Sequence, residues 1–184
     1  MRELSLHILD IAQNAITAGA TEIEILLAER ADGFLAVTIR DNGCGMSAEL
    51  VASVTDPFCT TRTTRKVGLG IPLFAAASEQ TGGGLTVASR LGEGTSITAT
   101  FDTLSIDCKP LGDIAATLVA LIAGAPHTTF RYLHTAGAER VVLDTELLRA
   151  ELGAEIPLNT PSLRAWIGNY LKEQYENFGG MKAC

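Results

Sequence analysis

The sequence predicts an α+β chain: a two-layer α/β sandwich with a mixed sheet and helices on one face, followed by a small C-terminal α/β extension. Three observations predict it. Over the first hundred or so residues the apolar spacing switches between helical and strand periods, in the order helix, hairpin, short helix, loop, helix, hairpin. Residues of the AVILMFWYC set make up 47% of the 184 residues, enough for a sizeable core, while aromatics are only 5%, so Leu, Ile, Val and Ala must fill it. After Phe101 the pattern becomes a nearly all-apolar stretch followed by a further hairpin and two more helices. The division expected is a domain over residues 1–104 and an extension over 105–184.

The elements follow in order. Residues 4–18, LSLHILDIAQNAITA, place Leu4, Ile8, Ile11, Ala12 and Ala15 at helical spacing, and Gly19 suits the helix end. TEIEILLAE and FLAVTIR read as strands joined through RADG. Ser47 can cap a short helix reaching about Val54. DPFCTTRTTRKVGLG is polar, basic and punctuated by glycine, which predicts a long loop of the functional or disordered kind. LGIPLFAAASEQTG is a helix with Pro72 in its first turn, and GLTVASR and TSITATF form a second hairpin around LGEG. In the extension, LGDIAATLVALIAG predicts a buried helix, TFRYLH and ERVVLDT a third hairpin, and helices follow near 145–152 and over 161–177, the last capped by Thr160 with Pro161 first.

Charge and composition exclude several classes. A formal net charge of −7 and a sequence pI of about 4.9 argue against broad electrostatic binding to nucleic acid or to an anionic membrane. No apolar run reaches the roughly 20 residues of a membrane span, and the N-terminal residues lack a signal-peptide core, so a soluble cytoplasmic chain is expected. Cys44, Cys59, Cys108 and Cys184 form no CxxC pair, which predicts reduced thiols rather than a metal site.

Four groups of residues could carry chemistry. Asp10 and Asn14 stand four apart and share a helix face distinct from the apolar stripe, with His7 on the same polar side. An Asn oxygen is a hard ligand suited to Mg²⁺, and a nearby carboxylate can orient water; taken alone, the pair reads first as an ordinary solvated helix face. Asp41 ends a strand, with Gly43 and Gly45 just behind it. The carboxylate can accept a hydrogen bond from an exocyclic amine and the glycines allow close backbone approach, although D-x-G-x-G is also a common turn. Gly68 and Gly70 precede a helix whose N-terminus suits phosphate, and Arg62, Arg65 and Lys66 lie upstream. Gly92, Gly94 and Thr95 make a hairpin turn that can set a hydroxyl beside a base.

Taken in sequence order, these stretches resemble the boxes of the Bergerat ATP-binding fold, the superfamily of gyrase, heat-shock chaperone ATPases, histidine kinases and MutL (GHKL), over about residues 1–102. The resemblance implies that LDIAQNAITAGA is the N box with Asn14 on Mg²⁺. In DNGCGM, Asp41 would receive the adenine amine while Gly43, Gly45 and Met46 line the base. It implies that DPFCTTRTTRKVGLGI supplies Phe58, a lid over about 56–68 with Arg62, Arg65 or Lys66 reaching the γ-phosphate, and Gly68, Leu69 and Gly70 at the phosphates; GEGT supplies Thr95. Hydrolysing branches carry Glu where this chain has Asp10, the candidate catalytic residue, one methylene shorter. Only three residues precede Leu4, so no upstream phospho-accepting helix is expected; His127 looks like a loop residue and His134 a strand-end residue.

The whole chain also resembles stand-alone histidine-kinase-like ATP-binding proteins associated with iron hydrogenase, which implies a separate protein partner, one associated with a hydrogenase. The function expected is a lid-gated Mg·ATP-binding ATPase or kinase acting on that partner, with a nucleotide-sensing docking module of little turnover as the alternative. Leu163, Trp166, Ile167, Tyr170 and Leu171 form a stripe expected to pack on its own domain.

Overall fold

The computed structural model describes residues 2–54, 69–153 and 156–181. Its elements run α1 (Leu4–Thr17), β1 (Glu22–Glu29), β2 (Phe34–Asp41), α2 (Ala48–Ser53), α3 (Gly70–Glu79), β3 (Gly84–Arg90), β4 (Gly94–Asp102), α4 (Ile114–Gly124), β5 (Thr129–Ala136), β6 (Glu139–Asp144), α5 (Thr145–Leu152) and α6 (Pro161–Glu176). The predicted strands and helices all form, within a few residues of their expected ends.

One six-stranded mixed sheet has the order β3-β4-β2-β1-β5-β6. Its three hairpins and the β2·β4 pair are antiparallel, and β1 and β5 run parallel. Residues beyond 105 therefore continue the sheet of the first hundred through the β1·β5 ladder.

Alternation gives the sheet one apolar face. The cross-strand row Val87, Ile97, Ile39, Ile25, Tyr132, Leu143 passes through all six strands. All but Val87 are buried in the core with Leu4, Ile8 and Ile11 of α1, Phe74 of α3, Leu118 and Ile122 of α4, and Ile167 and Leu171 of α6. Each such side chain contributes roughly 1.5–3 kcal/mol of burial free energy. Helices α1 and α3, α1 and α4, and α4 and α6 lie side by side.

Local chemistry fixes the ends. Gly19 sits at φ 78° behind α1, where its N–H bonds the Ile16 carbonyl and that of Ala20 the Ala15 carbonyl, satisfying the last turn. Ser47 accepts from the Leu50 N–H at 3.3 Å, as expected of a cap. Thr160 does not cap α6 through its side chain, and Pro161, which has no N–H to satisfy, starts that helix. At the sheet's outer edge the Gln174 side chain accepts from the Val142 N–H at 2.9 Å and donates to its carbonyl at 3.0 Å.

Two histidines sit elsewhere than expected. His7 is not on the polar side: it is buried and stacks on Phe74 with ring centroids 5.5 Å apart, because α3 packs over that flank of α1. His134 is not at a strand end but well inside β5 and fully buried, its ring bonded to Glu29 (3.0 Å) and the Tyr175 hydroxyl (2.8 Å). His127 is exposed near the start of β5. The α6 stripe splits, with Ile167 and Leu171 buried while Trp166 and Tyr170 stack on each other at the surface.

Candidate nucleotide site

The strand row two residues beyond the apolar one reads Ser89, Thr95, Asp41, Ile23, Phe130. Its β1 and β5 members remain apolar, whereas its β2, β4 and β3 members carry a carboxylate and two hydroxyls, all on the helix-facing side. Alternation alone turns Asp41 to that side, and register alone sets it beside Thr95.

Asp41 is half-buried, and its Oδ1 accepts the Gly43 N–H at 2.8 Å. Burial pushes its carboxyl above the ordinary carboxylate range, while main-chain hydrogen bonds from Gly43 and Thr95 pull the other way. A Cβ at Gly43 would lie 3.0 Å from the Cβ and carbonyl oxygen of Ala18, where α1 ends. Gly45 (φ 65°) and Gly94 (φ 105°) occupy the left-handed region, and a Cβ at either would overlap main chain, the Arg90 carbonyl at Gly45 and the Asp41 carbonyl at Gly94. The close approach made at these two glycines is thus one of chain to chain, which brings the loop after β2 and the β3–β4 turn into direct contact.

Side-chain bonds complete that junction. Asn42 Oδ1 accepts the N–H groups of Thr21 and Glu22 at 2.9 and 3.0 Å, and its Nδ2 donates to Thr21 Oγ1 at 2.9 Å, tying the end of β2 to the start of β1. The Met46 N–H donates to Ser89 Oγ at 2.8 Å. Neither Asn42 nor Ser89 stood out in the sequence, where both read as turn and strand residues; the strand register is the signal that would have found Ser89. An open cavity of about 620 Å³ borders this end of the sheet, lined in part by Asp41, Ser89, Thr95 and, from α2, Ala48 and Val51.

The other end of the site is built on α1. Asn14 lies four residues before Ala18, roughly 6 Å along the axis, and Asp10 one turn further back. Gly70, the first residue of α3, rests on this pair: a Cβ there would meet Asp10 Cβ at 3.3 Å, Asn14 Nδ2 at 3.6 Å and Asp10 Oδ2 at 3.7 Å. Leu69, the exposed N-cap of α3, provides no side-chain cap, so the first main-chain N–H groups of that helix are not capped by their own N-cap residue. Asp10, Asn14, Leu69 and Gly70 therefore converge, and α1 links them to Gly43 and Asp41. Phe58, Arg62, Arg65, Lys66 and Gly68 lie outside the described residues.

The donor set fits Mg²⁺ that arrives on phosphate. A side-chain amide and a carboxylate stand one turn apart beside a helix N-terminus, and Mg²⁺ is commonly held by one or two protein oxygens with the remainder from phosphate and water. Among the described residues no group of three or more His, Cys, Asp or Glu converges as a self-sufficient metal site. Among them, too, no helix is long and apolar enough to cross a membrane.

Comparison with known proteins agrees with this fold. The profile of the histidine kinase-, DNA gyrase B-, and HSP90-like ATPases matches residues 2–105. Over 113 residues the chain is 35% identical to the signal transduction histidine-protein kinase AtoS of Escherichia coli (strain K12), covering 61% of this chain and 17% of that protein. Over 58 residues it is 40% identical to the DNA mismatch repair protein MutL of Bartonella tribocorum, covering 32% of this chain and 9% of that protein. The chain thus spans less than a fifth of the length of either relative. Among solved structures, the N-terminal domain of a DNA repair protein superposes with a TM-score of 0.50 at 14% identity, covering 78% of this chain and 53% of that one, a likeness of fold. With more than half of its length matched, the chain belongs to the histidine kinase-, DNA gyrase B-, and HSP90-like ATPase family, GHKL, and its two-layer sandwich is the Bergerat fold of that family.

Proposed function

We propose that residues 1–104 bind Mg·ATP along α1, that residues 105–184 are an extension of this unit, and that the protein acts as an ATPase or kinase on a separate protein partner. One observation carries the reading: Asp41, half-buried and helix-facing, stands beside Thr95, and Gly43 joins it to the end of the helix that bears Asn14 and Asp10.

In this reading Asp41 accepts a hydrogen bond from the adenine amine, and Gly43, Gly45 and Met46 line the base. Asn14 holds Mg²⁺, and the main-chain N–H groups at 68–70 hold phosphate oxygens at the positive end of α3. Bound Mg²⁺ neutralises phosphate charge and orients the terminal phosphoryl group. Asp10 orients a water or an acceptor hydroxyl. Phe58, Arg62 and Lys66 belong to the lid that closes over the triphosphate. Asp10 is shorter than the Glu of hydrolysing relatives, which favours transfer to a partner over rapid hydrolysis.

Calorimetric titration with Mg·ATP tests the site. The wild-type chain is expected to bind, and Asp41→Asn to weaken binding by about 10- to 100-fold, the value of a hydrogen bond to a charged acceptor. Equal affinity in the two proteins would remove Asp41 from the site. Phosphate release with and without candidate partners then separates hydrolysis from transfer.

A further inference from the structure

The hydroxyl of Ser89 has three polar neighbours and one proton. The Met46 N–H donates to Ser89 Oγ at 2.8 Å. The Gly94 carbonyl, which can only accept, lies 2.8 Å away, and Thr95 Oγ1 lies 3.0 Å away. Two hydrogen bonds are thereby assigned. Ser89 receives the Met46 proton and gives its own to the Gly94 carbonyl. With that proton on the Gly94 carbonyl, the shorter of its two acceptor contacts, Ser89 can only accept from Thr95, which makes Thr95 the donor between the two hydroxyls. The Thr95 proton is then turned toward Ser89, and the oxygen keeps its lone pairs.

Thr95 and Asp41 are directly paired across β2 and β4. The base end of the cleft therefore presents two adjacent acceptors, a carboxylate and a hydroxyl whose proton is committed elsewhere. Adenine carries an amine at carbon 6, whereas guanine carries a carbonyl there. The amine has protons for these acceptors; the carbonyl would face them with lone pairs and leave two half-buried acceptors unpaired beneath the base, the kind of mismatch that discriminates strongly.

We infer that Ser89 is a specificity-determining residue: by engaging the Thr95 proton it keeps the base end an acceptor-only surface, which takes a 6-aminopurine nucleotide and rejects a 6-oxopurine one. This rests on the reading of the cleft as a nucleotide site. Ser89 touches no ligand in this account; it is a positioning residue acting through Thr95. Without it the Thr95 hydroxyl is free to turn into the cleft and donate to a carbonyl.

The experiment is calorimetric titration of the full chain with Mg·ATP and, separately, Mg·GTP. In Ser89→Ala the ratio of GTP to ATP dissociation constants is expected to fall at least about tenfold, largely through gained GTP affinity; Ser89→Thr, which retains the hydroxyl, should restore the wild-type ratio. A purely structural role would weaken both nucleotides alike, and an unchanged ratio in Ser89→Ala overturns the proposal while leaving the site assignment standing. If Ser89→Ala does not fold, Thr95→Val is decisive: it removes an acceptor without supplying a donor, so ATP should weaken with no gain for GTP, and unchanged ATP affinity overturns the inference. A wild-type chain that binds neither nucleotide overturns this proposal together with the reading it rests on.

Discussion

Replacing His7 with Leu should flatten the acid side of the stability profile. His7 is only 2% exposed, and neither ring nitrogen has a hydrogen-bond partner among the described residues. Burial, helped by the positive charge of Lys109, lowers its pKa from 6.5 to about 4. The sign follows from linkage. The unfolded chain takes up a proton near pH 6.5 that the folded chain refuses until about pH 4, so stability is whole above pH 6.5 and is lost as the pH falls toward 4. For that pair of values the loss between pH 7 and pH 5 is about 2 kcal/mol, and about 3 kcal/mol once the pH is below 4.

For a chain of this size 2 kcal/mol corresponds to a melting-temperature change of about 4–8 °C. Leu fills a comparable volume between α1 and Phe74 and forfeits no hydrogen bond. Urea denaturation of both proteins at pH 7 and pH 5 provides the assay, and the difference between the two pH dependences cancels every other titrating group common to both chains. If wild type and His7→Leu lose the same stability between these pH values, His7 is not the buried neutral group described.

Two further substitutions probe the fold and the site. Gly94→Ala would set a Cβ against the Asp41 carbonyl at φ 105°, a strain worth about 1–3 kcal/mol before any clash is relieved; a lower melting temperature together with weaker ATP binding is expected, and wild-type values for both would contradict the tight β2–β4 junction. Tyr175→Phe removes the hydroxyl that bridges Tyr132 at 2.5 Å and His134 at 2.8 Å, leaving two buried groups without it at a cost of about 1–3 kcal/mol in urea denaturation; Tyr132→Phe, which removes only the end of the chain of bonds, should cost less, and the reverse order would be contrary.

The hairpins and helices were legible because their signals are local: alternation in FLAVTIR, glycine behind α1, proline at the start of α6. The parallel ladder between β1 and β5 was not. It joins Glu22 to Thr129 across more than a hundred residues, and nothing within either strand names its neighbour. Asp41, Asn14 and Gly70 were legible as types suited to a nucleotide, and the family resemblance ordered them. Asn42 and Ser89 were not, because their roles arise from partners at Thr21, Met46 and Gly94 that only strand register and the loop after β2 bring near. His7 misled because helical spacing allots it a flank of α1 but does not say that Phe74 will cover that flank.

The grip of Gln174 on Val142 bears on assembly. By engaging the outward N–H and carbonyl in the middle of β6, this side chain blunts one margin of the sheet against a visiting strand. Endless strand-to-strand polymerisation requires both margins of each molecule. With β6 stoppered at Val142, edge-to-edge pairing through β3 alone would stop at two copies, so one glutamine works against continuous growth of the sheet from molecule to molecule.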